Sequence, residues 1–378
     1  MAGQIRADQV GSLLRPQELL EARSRGAPPE ELREIEDRHI LRLLHKQQEI
    51  GVDIYTDGEL RRRHFMSDLL EAVEGFEVPG DGPRPGSPQG ANRSRPSRTW
   101  KGEGTTPPPT RVTGVVTARL RPIRRLTEHE VAFLRKHSPG PFKITLPSAN
   151  QFPAFAFRKG ITDRVYRDPS ELLWDIVPII RDEIRALIAE GVTYIQLDAP
   201  RYSVYIDPQW REHVRAELGM EPEAALDEAI RADNACLEGA RRPGVILAFH
   251  LCRGNNRSQW FAEGGYDPIA EKVFNELQVD RFLLEYDDER SGTFEPLRFV
   301  PPDKTVVLGL VSTKRPQLEP REVLRRRIEE ASRYIPLENL ALSPQCGFAS
   351  VMEGNLLTEE DQWAKLRQVV EVAREVWG

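Results

Sequence analysis

Short apolar runs recur along the chain, and stretches with helical periodicity separate them. The runs are residues 5–12 (IRADQVGS), 52–59 (VDIYTDGE), 142–148 (FKITLPS), 193–200 (TYIQLDAP), 245–252 (VILAFHLC), 281–288 (RFLLEYDD), 305–312 (TVVLGLVS) and 340–347 (LALSPQCG). The first is the weakest. Most are near-continuous rather than alternating, as expected of parallel strands covered on both faces. Between them, EELREIEDRHILRLLHKQQEIG and DPSELLWDIVPIIRDEIRALIAEG place apolar residues at helical spacing and end in glycine. Pro178 interrupts the second and predicts a kink. EPREVLRRRIEEASRYI and TEEDQWAKLRQVVEVAREVW follow the same scheme. Eight strands with intervening helices predict an α/β fold, a single (β/α)8 TIM barrel. The rival, a doubly wound open sheet, lacks a glycine-rich phosphate loop after its first strand.

One region breaks the pattern. Residues 78–110 are dense in Pro, Gly and Ser, and predict an inserted loop or lid between strands 2 and 3 rather than a linker between two cores. The segment TRVTGVVTARLRPI, residues 110–123, predicts an added hairpin or sheet extension. The whole chain, residues 1–378, therefore reads as one barrel domain carrying one insert.

Composition narrows the function classes. A net charge of −6, with no basic stripe interleaved with aromatics, gives no reason to expect nucleic acid. No apolar run approaches the roughly 18–20 residues of a membrane span, and the first residues carry no apolar signal core. The expectation is a cytoplasmic protein with small-molecule partners; self-association stays open. The three cysteines, Cys236, Cys252 and Cys346, are too few and too odd for a disulfide framework. Cys236 lies in a helical pattern and reads as a buried apolar residue. Cys252 and Cys346 instead follow strand-like runs.

Barrel chemistry sits at the C-terminal strand ends. Those ends offer Gly11 and Ser12, Asp57 and Glu59, Asp198, His250 and Cys252, Glu285, and Cys346. His250 and Cys252 are two residues apart, so on an extended strand they point to one side. Alone, that pair is equally the polar end of a strand. With Cys346 and Glu285 at equivalent heights, His, Cys, Cys and a carboxylate make a zinc-type ligand set. A cysteine nucleophile with a histidine base competes, but leaves the second cysteine without a role. Zinc held by two thiolates and a carboxylate suits binding a substrate thiol and presenting it as a thiolate more than activating water.

These motifs, in order, resemble the cobalamin-independent methionine synthase family, specifically its C-terminal catalytic barrel and shorter single-barrel homologues. DQVGSLLRP is similar to the family's Gly-Ser substrate loop, YTDGELRR to its Gly-Glu segment and IQLDAP to its strand 4 motif. HLC, the Glu of LLEYDD, and SPQCG are similar to its zinc-ligand motifs. The resemblance implies zinc on His250, Cys252, Glu285 and Cys346. It implies a thiol amino acid, homocysteine, held by Gly11, Ser12, Glu59 and Asp198, with Glu59 and Asp198 orienting it for methyl transfer. Carboxylates suit its ammonium, and backbone N–H groups near Gly11 and Ser12 suit its carboxylate.

The chain departs from the family pattern in four places. It has one barrel, where full synthases have two. LVSTKRP offers Thr313 and Lys314 where the family carries a histidine. TLPSANQFPAF has Phe152 and Phe155 where folate-using members have a tryptophan. The strand 4 motif reads Asp-Ala-Pro. The methyl donor is accordingly open between methyltetrahydrofolate and a methylated corrinoid. Three other readings compete: a zinc alkyltransferase acting on another thiol such as coenzyme M, with Arg15, Arg61 or Arg201 for its sulfonate; a non-catalytic zinc barrel; and a decarboxylase of the related porphyrin-processing barrels.

Overall fold

The computed structural model describes residues 5–77, 100–102 and 114–378. Residues 78–99 and 103–110 of the expected insert lie outside them. The segment after the insert forms an added ribbon. Its strands are β1 (Val73–Glu77) and β2 (Val115–Pro122), paired antiparallel with a register shift between Glu74 and Phe76. The described part of the expected hairpin segment, Val115–Pro122, thus pairs with chain upstream of the insert. Lys101 makes an isolated antiparallel bridge with Trp260, and the Trp100 ring stands edge-on to Phe261, 5.4 Å away.

Six parallel strands form the main sheet: β3 (Ile144–Pro147), β4 (Tyr194–Asp198), β5 (Ile246–Leu251), β6 (Arg281–Glu285), β7 (Thr305–Val311) and β8 (Leu340–Pro344). They lie in sequence order, as the third to eighth apolar runs predict. The first two runs do not form strands. Residues 5–12 and 52–59 instead make single parallel bridges, Ala7 to Leu342 beside β8 and Tyr55 to Phe142 beside β3.

Side chains replace the backbone ladder between these two segments. Asp53 Oδ2 accepts from the Arg6 and Ala7 amides at 2.7 and 2.8 Å. Gln9 donates to the Ile54 carbonyl at 2.8 Å. Gln47 caps both the N–H and the C=O of Thr56, at 3.0 and 2.9 Å. These backbone groups are paired, as burial requires, with only an isolated backbone bond from the Asp53 amide to the Ala7 carbonyl at 3.4 Å between the two segments.

Strand alternation sorts the side chains. Ile195, Leu197, Leu247, Phe249, Phe282, Leu284, Leu308 and Leu342 join the large apolar cluster that includes the helices. Val10, Ile54, Tyr194, Ala248, Leu283, Val307 and Ala341 form a second, separate cluster. Gln196 and Asp198, His250 and Glu285 follow members of this second cluster at two-residue steps, so they share its face. The helices Pro29–Ile50, Pro169–Ala189, Pro222–Cys236, Arg321–Ala331 and Glu359–Trp377 form where periodicity places them. Pro178 is accommodated inside Pro169–Ala189, which runs unbroken. Asp168 caps that helix through the Glu171 amide, and Thr358 with Asp361 forms a capping box on the last. No helix among the described residues is long and apolar enough to cross a membrane.

Candidate metal and thiol site

Parallel register sets Asp198 beside His250 across β4 and β5. Cys252 follows β5 directly, and Cys346 follows β8 by two residues. Ligand atoms of His250, Cys252 and Cys346 all lie within 4.8 Å of one another, and all three residues are buried. The His250 ring is aimed by its Nδ1, which lies 3.2 Å from the Leu283 carbonyl. A carbonyl only accepts, so Nδ1 carries a proton there. Nε2 is buried and has no hydrogen-bond partner. An orphaned imidazole nitrogen beside two sulfurs is a donor set suited to a soft, tetrahedral divalent ion such as zinc. The sulfurs differ in character. Cys346 is held well below the usual thiol range, first by its hydrogen bond with Cys252 and then by His250. Cys252 is pushed well above that range by the same contact and by burial. Burial opposes charge on His250, but Cys346 outweighs it and raises the ring.

Glu285 stands apart from this trio. Its Oε1 accepts from Arg290 at 2.9 Å and Lys314 at 3.0 Å, and its Oε2 from the Arg253 amide at 2.6 Å. Burial would raise its pKa, but Lys314, Arg290 and Arg253 together hold it well below the usual carboxylate range. Lys314 also reaches Asp287 Oδ2 at 3.2 Å, which accepts from Ser312 at 2.8 Å. Lys314 and Arg290 thus share one of the two carboxylate oxygens.

The residues expected to hold an amino acid do come together. Gly11 has φ +153°, and a Cβ there would meet Glu59 Oε1 at 2.9 Å. A Cβ on Gly347 would stand 2.0 Å from Ser12 Oγ, so the residue after Cys346 packs against Ser12 only because it lacks a side chain. Glu59 adopts φ +55°, which is strained for a non-glycine residue. Its amide donates to Asp57 Oδ1 at 2.9 Å, and its Oε1 accepts from Thr145 at 2.9 Å. Glu59 Oε2 is buried without a partner. Arg62 lies 3.9 Å away but is committed to Asp68 at 2.5 Å and Glu130 at 2.6 Å. That guanidinium also fills the other grouping of metal-capable side chains, Asp68, His129 and Glu130. Asp198 is buried; its Oδ1 accepts from Gln196 at 2.8 Å, and burial pushes it up to about 7.

Sequence reasoning missed Arg290 and the pair Lys143 and Gln196. Arg290 sits in a charged run, DDER, that reads as solvated surface. Gln196 was legible as the residue two before Asp198 on the same strand face. Lys143, a lysine inside FKITLP, was the remaining signal.

Comparisons with known proteins show the family. Residues 160–375 match the family described as cobalamin-independent synthase, catalytic domain. The chain is 41% identical to the uncharacterized protein YxjH of Bacillus subtilis strain 168, over 98% of this chain and 94% of that protein. It is 24% identical to the methionine synthase of Saccharolobus solfataricus, over 96% and 92%. A Listeria monocytogenes protein assigned as a vitamin-B12 independent methionine synthase superposes with a TM-score of 0.71 at 29% identity, covering 99% of this chain and 98% of that one.

Proposed function

The chain belongs to the cobalamin-independent methionine synthase family, and from that premise we propose that it is a zinc-dependent methyltransferase converting homocysteine to methionine. The observation that carries this reading is the partnerless, buried Nε2 of His250 with two cysteine sulfurs within 4.8 Å. His250, Cys252 and Cys346 would hold the ion, and Glu285 would supply the fourth ligand once Oε1 is released by Lys314 and Arg290. Zinc, when bound there, lowers the pKa of a thiol so that it is present as a thiolate at neutral pH.

The chain's own residues would do the remaining work. Glu59 Oε2 and Asp198 receive the substrate ammonium, and the Gly11–Ser12 backbone receives its carboxylate. The three contacts fix the amino acid, so its sulfur meets the donor methyl in line rather than by diffusion. The walls are buried, which strengthens each charge interaction relative to water. The donor is methyltetrahydrofolate or a methylated corrinoid.

The barrel reading belongs to the same proposal. Residues 5–12 and 52–59 take the first and second strand places, which closes an eight-membered ring within one domain. Support comes from their bridges to β8 and β3 and from the inner cluster, to which Val10 and Ile54 contribute. A sulfonate thiol is less well served. Arg15 is spent on the Arg62, Ala349 and Val351 carbonyls, and Arg61 on Glu36 and Asp37. A purely structural zinc leaves the unpartnered Glu59 oxygen without a purpose.

Zinc-edge X-ray absorption on the zinc-loaded protein tests the reading. Homocysteine should add one sulfur to the two from cysteine. An unchanged sulfur count at saturating homocysteine would overturn it.

A further inference from the structure

Beneath the proposed site runs a buried polar chain that the reaction chemistry does not use. Lys143, just before β3, has a fully buried side chain. Its ammonium donates to Asp8 Oδ1 and to Gln196 Oε1, both at 2.8 Å, and lies over the Tyr194 ring, 4.6 Å from the centroid. Asp8 is held in turn by the Tyr194 hydroxyl at 2.7 Å and the Gln9 amide at 2.8 Å. The Gln196 amide nitrogen donates to the Val10 carbonyl and to Asp198 Oδ1, both at 2.8 Å.

This chain has a direction. A lysine ammonium can only donate, and a carbonyl can only accept. Lys143 on one side and the Val10 carbonyl on the other therefore leave the Gln196 amide a single orientation. In that orientation it must present N–H to Asp198. Flipped, it would set N–H against ammonium and oxygen against the Val10 carbonyl, leaving buried groups unsatisfied. Asp198 Oδ1 is thereby fixed as an acceptor and tied back toward the interior. Oδ2 takes no part in that hydrogen bond.

We propose that Lys143 is a positioning residue for ammonium recognition, acting through Gln196 to set the carboxylate of Asp198. The inference rests on the reading that Asp198 receives the substrate ammonium. Lys143 fixes the sense of the amide from its oxygen side, as the Val10 carbonyl does from its nitrogen side. Its ammonium is paired with Asp8, which also lies 3.9 Å from Arg281.

The test compares homocysteine with 4-mercaptobutanoate, the same thiol acid without the amino group, by calorimetric binding to zinc-loaded protein. Gln196→Met leaves the Lys143–Asp8 pair in place. It should weaken homocysteine by about tenfold, the scale of one charge-assisted hydrogen bond, and 4-mercaptobutanoate by less than about twofold. Lys143→Met should give the same selective loss, and should add nothing further in the Gln196→Met background. Asp198→Asn calibrates the assay. If Asp198→Asn is selective while Gln196→Met weakens both thiols equally or neither, the positioning role is overturned and the ammonium reading stands. If Asp198→Asn is itself unselective, the ammonium reading fails and takes the proposal with it. If Gln196→Met is selective but Lys143→Met is not, the role of Lys143 is overturned; if Lys143→Met does not fold, Lys143→Gln, whose amide can turn either way, takes its place with the same expected and overturning results.

Discussion

Lys314 Nζ lies 3.0 Å from Glu285 Oε1, on the carboxylate that the family pattern gives to the metal. A buried lysine sharing that oxygen with Arg290 competes with a divalent cation for the same lone pairs. It also adds like charge near the ion. Lys314→Met should therefore tighten zinc binding, by about tenfold at an effective interior dielectric near 20, in a chelator competition at pH 7. The metal-free variant should melt lower than the parent, because Glu285 loses a partner. Zinc affinity that stays the same or weakens would show that Glu285 does not reach the ion.

Asp57 Oδ2 is buried without a partner, and burial pushes the carboxyl from 3.8 up to about 7. A folded pKa above the unfolded one means stability that is present below about pH 4 and lost as pH rises to about 7. A shift of about three units bounds that loss at about 4 kcal/mol. Asp57→Asn keeps an oxygen for the Glu59 amide and cannot ionise. Its stability relative to the parent should grow from pH 4 to pH 7 and then level off. Parallel denaturation midpoints for the two proteins across that range would contradict the assignment.

At the seam between the first two segments, Asp53 serves the amides of Arg6 and Ala7. Asp53→Ala leaves both part-buried N–H groups unpaired. The expected cost is about 1–3 kcal/mol per unsatisfied group, read from urea denaturation, with the fastest new amide exchange at residues 6 and 7. Wild-type stability in the variant would mean that the seam is held by packing alone.

The fold was legible where local pattern and tertiary role coincide. The third to eighth runs are near-continuously apolar, and they became the six strands of the parallel sheet. The first two carry Asp8, Gln9, Asp53 and Asp57, and buried polar side chains there do the work that backbone pairing does elsewhere. His250 and Cys252 were legible because a two-residue step on a strand is a statement about direction. Cys346 was legible from its place after the last strand. Whether Glu285 meets the metal was not, because Lys314 arrives from a loop 29 residues away and Arg290, though only five residues on, lies in a run that reads as solvated surface. The Lys143 chain was hidden for a similar reason: its meaning lies in the orientation of Gln196, which no residue pattern specifies.

The central claim is that the trio His250, Cys252 and Cys346 serves methyl transfer to a thiol. The most direct measurement is methionine formation by purified, zinc-loaded protein from homocysteine, with methyltetrahydrofolate (mono- and polyglutamyl) and methylcobalamin offered in parallel. The account predicts methionine from at least one donor, and its loss, together with bound zinc, in Cys346→Ser but not in Cys236→Ser. No methionine from any donor, or undiminished turnover in Cys346→Ser, would contradict it.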